Sequence, residues 1–228
     1  MFKVIKLRTV IVLVLVVLFG LAFSFGIVAV ASQKTQPSLP YKIVVDAGHG
    51  GIDAGCEGSL EGSNERELNL LYANSLKKYL ETYGIEVVMT RTTTDGLYSA
   101  FAPNKKKDDM KKREEIINKA NADLVVSIHM NAFPTTSARG AQVFYNPESE
   151  VSKNLASSIQ NCFITDLPQA KKEALVGDYY ILNCTNTPSV IVECGFLSNP
   201  EEEVLLLSNE YCEKLCYSIF CGIIKYLG

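Results

Sequence analysis

The sequence predicts an α/β domain: a mostly parallel, twisted central sheet with helices on both faces, folded as a single unit. Three observations carry this. Short apolar runs rich in Val and Ile, such as KIVVD, DLVVSI and SVIV, read as buried strands. The stretches between them repeat apolar residues at helical spacing. Strand and helix alternate along the chain, as they do when crossover helices join parallel strands.

Lys42–Asp46 is the first expected strand, and it runs into Gly48-His49-Gly50-Gly51. A helix follows from about Asn64 to Tyr83. Its apolar face is Leu68, Leu71, Tyr72, Leu76, Tyr79, Leu80 and Tyr83, with Ser63 as the expected cap and Gly84 as the stop. Glu86–Thr90 is the next strand. Arg91–Lys112 is polar and charged and reads as a solvated surface loop, with a helix only from about Lys112 to Asn121. Leu124–Ile128 is a strand ending at His129. Gln142–Tyr145 is another strand and Glu150–Phe163 another helix. Tyr179–Leu182 and Ser189–Val192 read as short β segments, before a helical C-terminus ending near Leu227.

The chain has 228 residues, with 22 basic against 25 acidic. Three of the basic residues (Lys3, Lys6 and Arg8) lie in the first 31, which hold no acid, so 19 basic residues face 25 acidic in the remainder. That balance excludes a polybasic domain held on nucleic acid by phosphate neutralisation. From Thr9 to Ala31 run 23 residues without a charge. As a helix they would span about 34 Å, enough for the hydrocarbon core of a bilayer. Residues 1–31 are therefore expected to be a membrane anchor, or a signal segment cleaved after Ala31, since Ala29-Val30-Ala31 resembles a cleavage site. The positive N-terminus places the chain beyond Ala31 outside the cytoplasmic membrane. Residues 32–40 (SQKTQPSLP) are a short linker and 41–228 the domain. The seven cysteines are odd in number and form no disulfide framework. Cys162, Cys212, Cys216 and Cys221 fall in amphipathic helical segments and read as reduced, core-facing thiols.

Only two histidines exist, His49 and His129, and each follows an apolar strand. In an open α/β sheet the carboxyl ends of the strands share one edge, where ligands bind. Neutral imidazole is the commonest metal ligand, and catalytic zinc is often held by two histidines and a glutamate. Glu65 suits the third place. It lies in the first turn of a helix, on the face shared by Leu68 and Tyr72, where a bare carboxylate is costly to bury without a cation. Glu193 ends the apolar run Ser189–Val192, and an acid there is rarely present for packing. Beside a zinc-activated water it can accept a proton and deliver it to a leaving amine. Asp46 is a candidate for orienting a ligand histidine from behind, or for a local turn contact.

The segments VVDAGHGGIDAG, NERELNL, ADLVVSIHMNA and PSVIVECGFLSN, in this order, resemble the zinc-dependent N-acetylmuramoyl-L-alanine amidases of the amidase-3 type. The resemblance covers about residues 42–227. It implies a zinc cofactor held by His49, Glu65 and His129, with Glu193 as the catalytic glutamate. Asp46, Asn131 and Asn183 are carried as candidates for supporting or substrate contacts. The expected reaction is hydrolysis of the amide between N-acetylmuramic acid and L-alanine in peptidoglycan. Another exported zinc wall peptidase and an inactive peptidoglycan-binding module are the alternatives. Two positions depart from the pattern: Cys56 stands where the family often has Ala, and Asn183 where it has a basic residue. Cys56 is thereby a possible competing soft ligand, and Asn183 puts details of substrate anchoring in question. A lone catalytic domain behind an apolar segment, without wall-binding repeats, resembles the spore-cortex, germination-specific type. That type implies a role in muramic-lactam formation and an activator lipoprotein as partner.

Overall fold

In the computed structural model, residues 14–16, 39–60 and 63–228 are described. The expected anchor and linker (1–31 and 32–40) therefore lie almost wholly outside the described residues. Among the described residues no helix is long and apolar enough to cross a membrane.

Six strands form one sheet: β1 (Lys42–Ala47), β2 (Glu86–Met89), β3 (Leu124–Asn131), β4 (Gln142–Tyr145), β5 (Leu175–Val176) and β6 (Ser189–Phe196). Their order is β2-β1-β3-β6-β4-β5. All neighbours are parallel except β4 and β6. The three central strands are β-branched and buried on both faces, as a parallel sheet requires.

Alternation along these strands divides the core. Ile43, Val45, Leu124, Val126, Ile128, Val190 and Val192 point to one side. There they meet α1 (Glu65–Thr82), α3 (Glu150–Asp166) and α6 (Asn209–Leu227). Val44, Val125 and Ile191 point to the other, against Ile117 of α2 (Lys105–Ala120) and Ile181 and Leu182 of α4 (Tyr180–Asn183). By the same alternation Asp46, Ser127, His129 and Glu193 rise from the α2 side, at the carboxyl ends of their strands. A further short helix, α5 (Pro200–Leu206), follows β6.

Three expectations are corrected and one element is added. The supposed loop up to Lys112 contains the first two turns of α2, started by Asn104, whose side chain accepts from the Lys107 amide at 2.9 Å. Its charges are those of a solvated helix face. Tyr179–Leu182 is not β; residues 180–183 make one helical turn. The two-residue strand β5 was not anticipated. Asn64, not Ser63, caps α1, accepting from the Glu67 amide at 3.1 Å. Gly84 does end that region, at φ 89°. All seven cysteines are free, with Cys162, Cys194, Cys212 and Cys216 buried.

Candidate active site

β1 delivers His49 immediately past its end, where the backbone turns into the left-handed region at φ 61°. Arg113 of α2 holds that turn, donating to the carbonyls of Ala47 (2.7 Å) and His49. Arg91, just beyond β2, donates to Ala47 O and Gly48 O, both at 2.8 Å, and to Arg66 O at 2.7 Å, fastening the start of α1 to the same turn. β3 delivers His129, and Gly48 makes room for it: a Cβ at residue 48 would stand 2.2 Å from the His129 ring.

These elements bring His49, Glu65 and His129 together, with one ligand atom from each within 4.8 Å of the others. Glu65 Oε1 lies 3.1 Å from His49 Nε2 and 2.8 Å from His129 Nδ1. It also accepts from the Met130 amide at 3.2 Å, while Glu65 Oε2 accepts from the Cys56 amide at 2.9 Å. Burial alone would raise the Glu65 carboxyl, but the hydrogen bonds and charges of both histidines hold it well below the usual carboxylate range. Burial pulls the His129 imidazole down, yet its bond to Glu65 and that charge prevail, and its pKa is raised. His49 Nδ1 is 3.0 Å from Asp53 Oδ1 but off the line of a hydrogen bond.

Glu193 stands beside His129, its register partner on the next strand. It is buried, and its Oε2 has no hydrogen-bond partner. Burial pushes this carboxyl up to about 7, with Glu65 adding to the rise and His129 opposing it. Glu193, His49 and His129 all line a cleft of about 140 Å³, walled by Tyr98, Lys106 and Met110 on one side and Tyr179 and Ile181 on another.

Two imidazole nitrogens and one carboxylate oxygen are a donor set that catalytic zinc takes. In a tetrahedron with bonds of about 2.0–2.1 Å, neighbouring donors stand about 3.3–3.4 Å apart. The separations of 2.8 and 3.1 Å from Glu65 to the histidines are compatible with that, and an unpartnered Glu193 oxygen in the same cleft fits a water-activating role. The residues fit a zinc ion.

The other sequence candidates fall elsewhere. Asp46 bonds to neither imidazole and makes no turn contact. It accepts from Arg113 Nη1 (2.6 Å), Thr90 (2.6 Å) and Ser127 (2.5 Å). Burial opposes its charge, but the guanidinium and the two hydroxyls outweigh it and hold the carboxyl down at about 2. Asp46 thus reaches His49 only through Arg113, at the backbone. Asn131 lies past a register shift in β3, where its carbonyl accepts from the Leu197 amide at 2.8 Å. Asn183 is exposed and bonded to Asn146 and Asp178, outside the cleft lining. Burial, then Glu65, pushes the Cys56 thiol up, and its Sγ donates to the Met130 carbonyl at 3.5 Å and lies outside the His49–Glu65–His129 group. Sequence reasoning missed Arg91 and Arg113. Arg91 follows a strand as directly as the histidines do, and that was the available signal.

Residues 43–225 match the Amidase_3 family, N-acetylmuramoyl-L-alanine amidase. The chain belongs to that family. Its reaction is hydrolysis of the peptidoglycan amide that joins N-acetylmuramic acid to L-alanine. The germination-specific N-acetylmuramoyl-L-alanine amidase of Bacillus subtilis (strain 168) is 34% identical over 81% of this chain and 78% of its own length. The CwlD amidase from Clostridioides difficile, solved in complex with the GerS lipoprotein, is 37% identical, with a TM-score of 0.78 over 82% of this chain and 98% of that one. An N-acetylmuramoyl-L-alanine amidase from Clostridium difficile 630 is 30% identical, with a TM-score of 0.73 over 82% and 96%. Relatives named as cell wall amidases imply an extracellular place of work.

Proposed function

We propose that this chain is a zinc amidase whose residues 41–228 are the catalytic domain, joined by residues 32–40 to an N-terminal membrane anchor. The observation that carries the metal assignment is the convergence of His49 Nε2, Glu65 Oε1 and His129 Nδ1 at one edge of the sheet. When bound there, zinc supplies Lewis acidity to the scissile carbonyl and to the attacking water. Glu193 takes a proton from that water at its free Oε2 and returns it to the departing alanine nitrogen. A carboxyl held near neutrality by burial is suited to both transfers. The closed set of hydrogen bonds around Arg113 and Arg91 keeps the turn that carries His49 from shifting as the substrate enters.

The narrower role is in the spore cortex, cutting stems from muramic acid so that muramic lactam can form, with a lipoprotein as activating partner. Similarity to a germination-specific amidase and to an amidase solved with a lipoprotein supports this reading. Anchoring is supported by the uncharged run Thr9–Ala31 behind Lys3, Lys6 and Arg8. Mass spectrometry of muropeptides incubated with the full chain, with zinc and with chelator, tests the reading. Release of intact stem peptides beginning with L-alanine, only in the zinc arm, is the expected result. Cleavage inside the stem would make it a peptidase.

A further inference from the structure

We propose that the aromatic surface formed by Tyr79 and Tyr83 of α1 with Tyr217 and Phe220 of α6 rests on the lipid interface and holds the cleft pointing away from the membrane. This rests on the anchoring reading above and deepens it.

The four rings pack on one another: Tyr79 to Tyr217 at 5.5 Å, Tyr83 to Phe220 at 5.3 Å, and Phe220 to both Tyr79 and Tyr217 at 6.0 Å between centroids. They are not core. Tyr83 is 44% and Tyr217 51% exposed, so the cluster presents a largely apolar patch to its surroundings. Tyrosine is favoured where one end of a side chain is apolar and the other wet, as at a membrane–water boundary.

The position of the patch selects lipid as its occupant. Leu39, at the start of the domain, donates its amide to Gly84 O at 2.9 Å, one residue beyond Tyr83. Tyr41 donates its hydroxyl to Leu227 O at 3.1 Å, at the end of the helix that carries Tyr217 and Phe220. The chain therefore enters the domain beside the patch. Between the uncharged run and Leu39 lie residues 32–38, which reach roughly 25 Å at full extension. In an anchored chain Leu39 therefore lies within about 25 Å of the end of the uncharged run.

The cleft is at the other end. Leu39 and Gly84 precede β1 and β2, whereas His49, His129 and Glu193 follow the carboxyl ends of their strands. A six-residue strand separates the two edges by about 20 Å. Resting the aromatic edge on lipid thus directs the cleft towards the wall. Around the patch Lys77 pairs with Glu81 at 3.4 Å, while the exposed carboxylate of Glu213 keeps its charge and accepts from Tyr79 at 2.6 Å. The Tyr79 hydroxyl and the Glu213 carboxylate form a polar rim, so the contact depends on the rings and does not call for anionic lipid.

The chain has no tryptophan, so one substitution makes a lone emitter. Full-length Tyr217→Trp, with Tyr83→Trp as a second reporter, is reconstituted into phosphatidylcholine vesicles with and without brominated acyl chains. Phe101→Trp, at a residue 96% exposed on the segment leading into α2 beside the cleft, is the control. The expected result is a blue-shifted emission quenched severalfold by bromine at 217 and at 83, and neither change at 101. Chains that float with the vesicles yet show no quenching at 217 or 83 overturn the docking and leave the anchor standing. A blue shift without quenching assigns the patch to another protein surface and also overturns it. Chains that do not float at all overturn both readings.

Discussion

His129 on β3 and Glu193 on β6 are register partners on adjacent parallel strands, so both side chains leave the same face of the sheet at the same height. Strand pairing, not loop conformation, sets their spacing. A proton carrier placed this way stays beside its histidine when substrate or product displaces the surrounding loops.

Glu193→Gln is expected to keep zinc and to lose muropeptide hydrolysis by about 10²–10⁴-fold, the usual worth of general acid–base help. The amide is nearly the same size but takes no proton from water. Zinc content by elemental analysis, alongside the rate, checks both halves. A variant with near-native rate would remove Glu193 from the mechanism.

His49→Ala and His129→Ala are each expected to abolish tight binding of zinc, since each removes one of three protein ligands. Equilibrium dialysis followed by elemental analysis measures this. Stoichiometric zinc in both variants would mean that the metal lies elsewhere.

Gly48→Ala is expected to weaken zinc binding at least about tenfold, the range seen when the surroundings of a ligand are disturbed. The new methyl would stand 2.2 Å from the His129 imidazole, so the ring must turn away. Competition with a chromophoric chelator reads the affinity, and circular dichroism shows whether the fold survives. Unchanged affinity would show that another ring position serves equally well.

Acid stability should follow Asp46. Its folded pKa, about 2, lies below the ordinary 3.8, so its contribution is complete above about pH 4 and disappears as pH falls through 2. The difference corresponds to about 2 kcal/mol. Asp46→Asn leaves the Arg113 guanidinium buried without its partner and is expected to destabilise the domain by about 3–5 kcal/mol at pH 7. Urea titrations of both proteins between pH 2 and 7 should show the gap narrowing by about 2 kcal/mol at the acid end. A gap independent of pH would mean that Asp46 acts through packing alone.

The central strands were legible because a doubly buried parallel strand is written almost entirely in Val, Ile and Leu. Glu193 stood out by interrupting such a run, and the histidines by ending theirs. The start of α2 was not legible, because Lys105, Lys106 and Lys107 open the helix with charge alone and no apolar residue follows until Met110. The same charge concealed Arg113, which is 1% exposed among solvated neighbours. Its burial depends on Asp46 and on carbonyls that only tertiary structure brings near. The reversed direction of β4 and the turn at Tyr180 depend on partners distant in sequence. The glycine-rich stretch after His49 reads as loose, yet Glu203 of α5 ties it by accepting from Ser59 N (3.0 Å) and Leu60 N (2.8 Å), contacts made across more than 140 residues.

The last helix bears on how the molecule comes into being. α6 is wedged against α1 and α3: Cys216 reaches the Tyr72 carbonyl, and Gly222 lets the backbone of Ile159 approach so closely that a Cβ would meet its Cα at 2.5 Å. Until α6 has emerged, one face of the sheet has no complete cover, and β3 waits for β6 some 60 residues further on. Folding dominated by such distant pairings is slow. For a chain delivered through a membrane, maturation is therefore a race run on the far side, with exposed strands and free thiols open to chaperones, oxidants and proteases until α6 arrives.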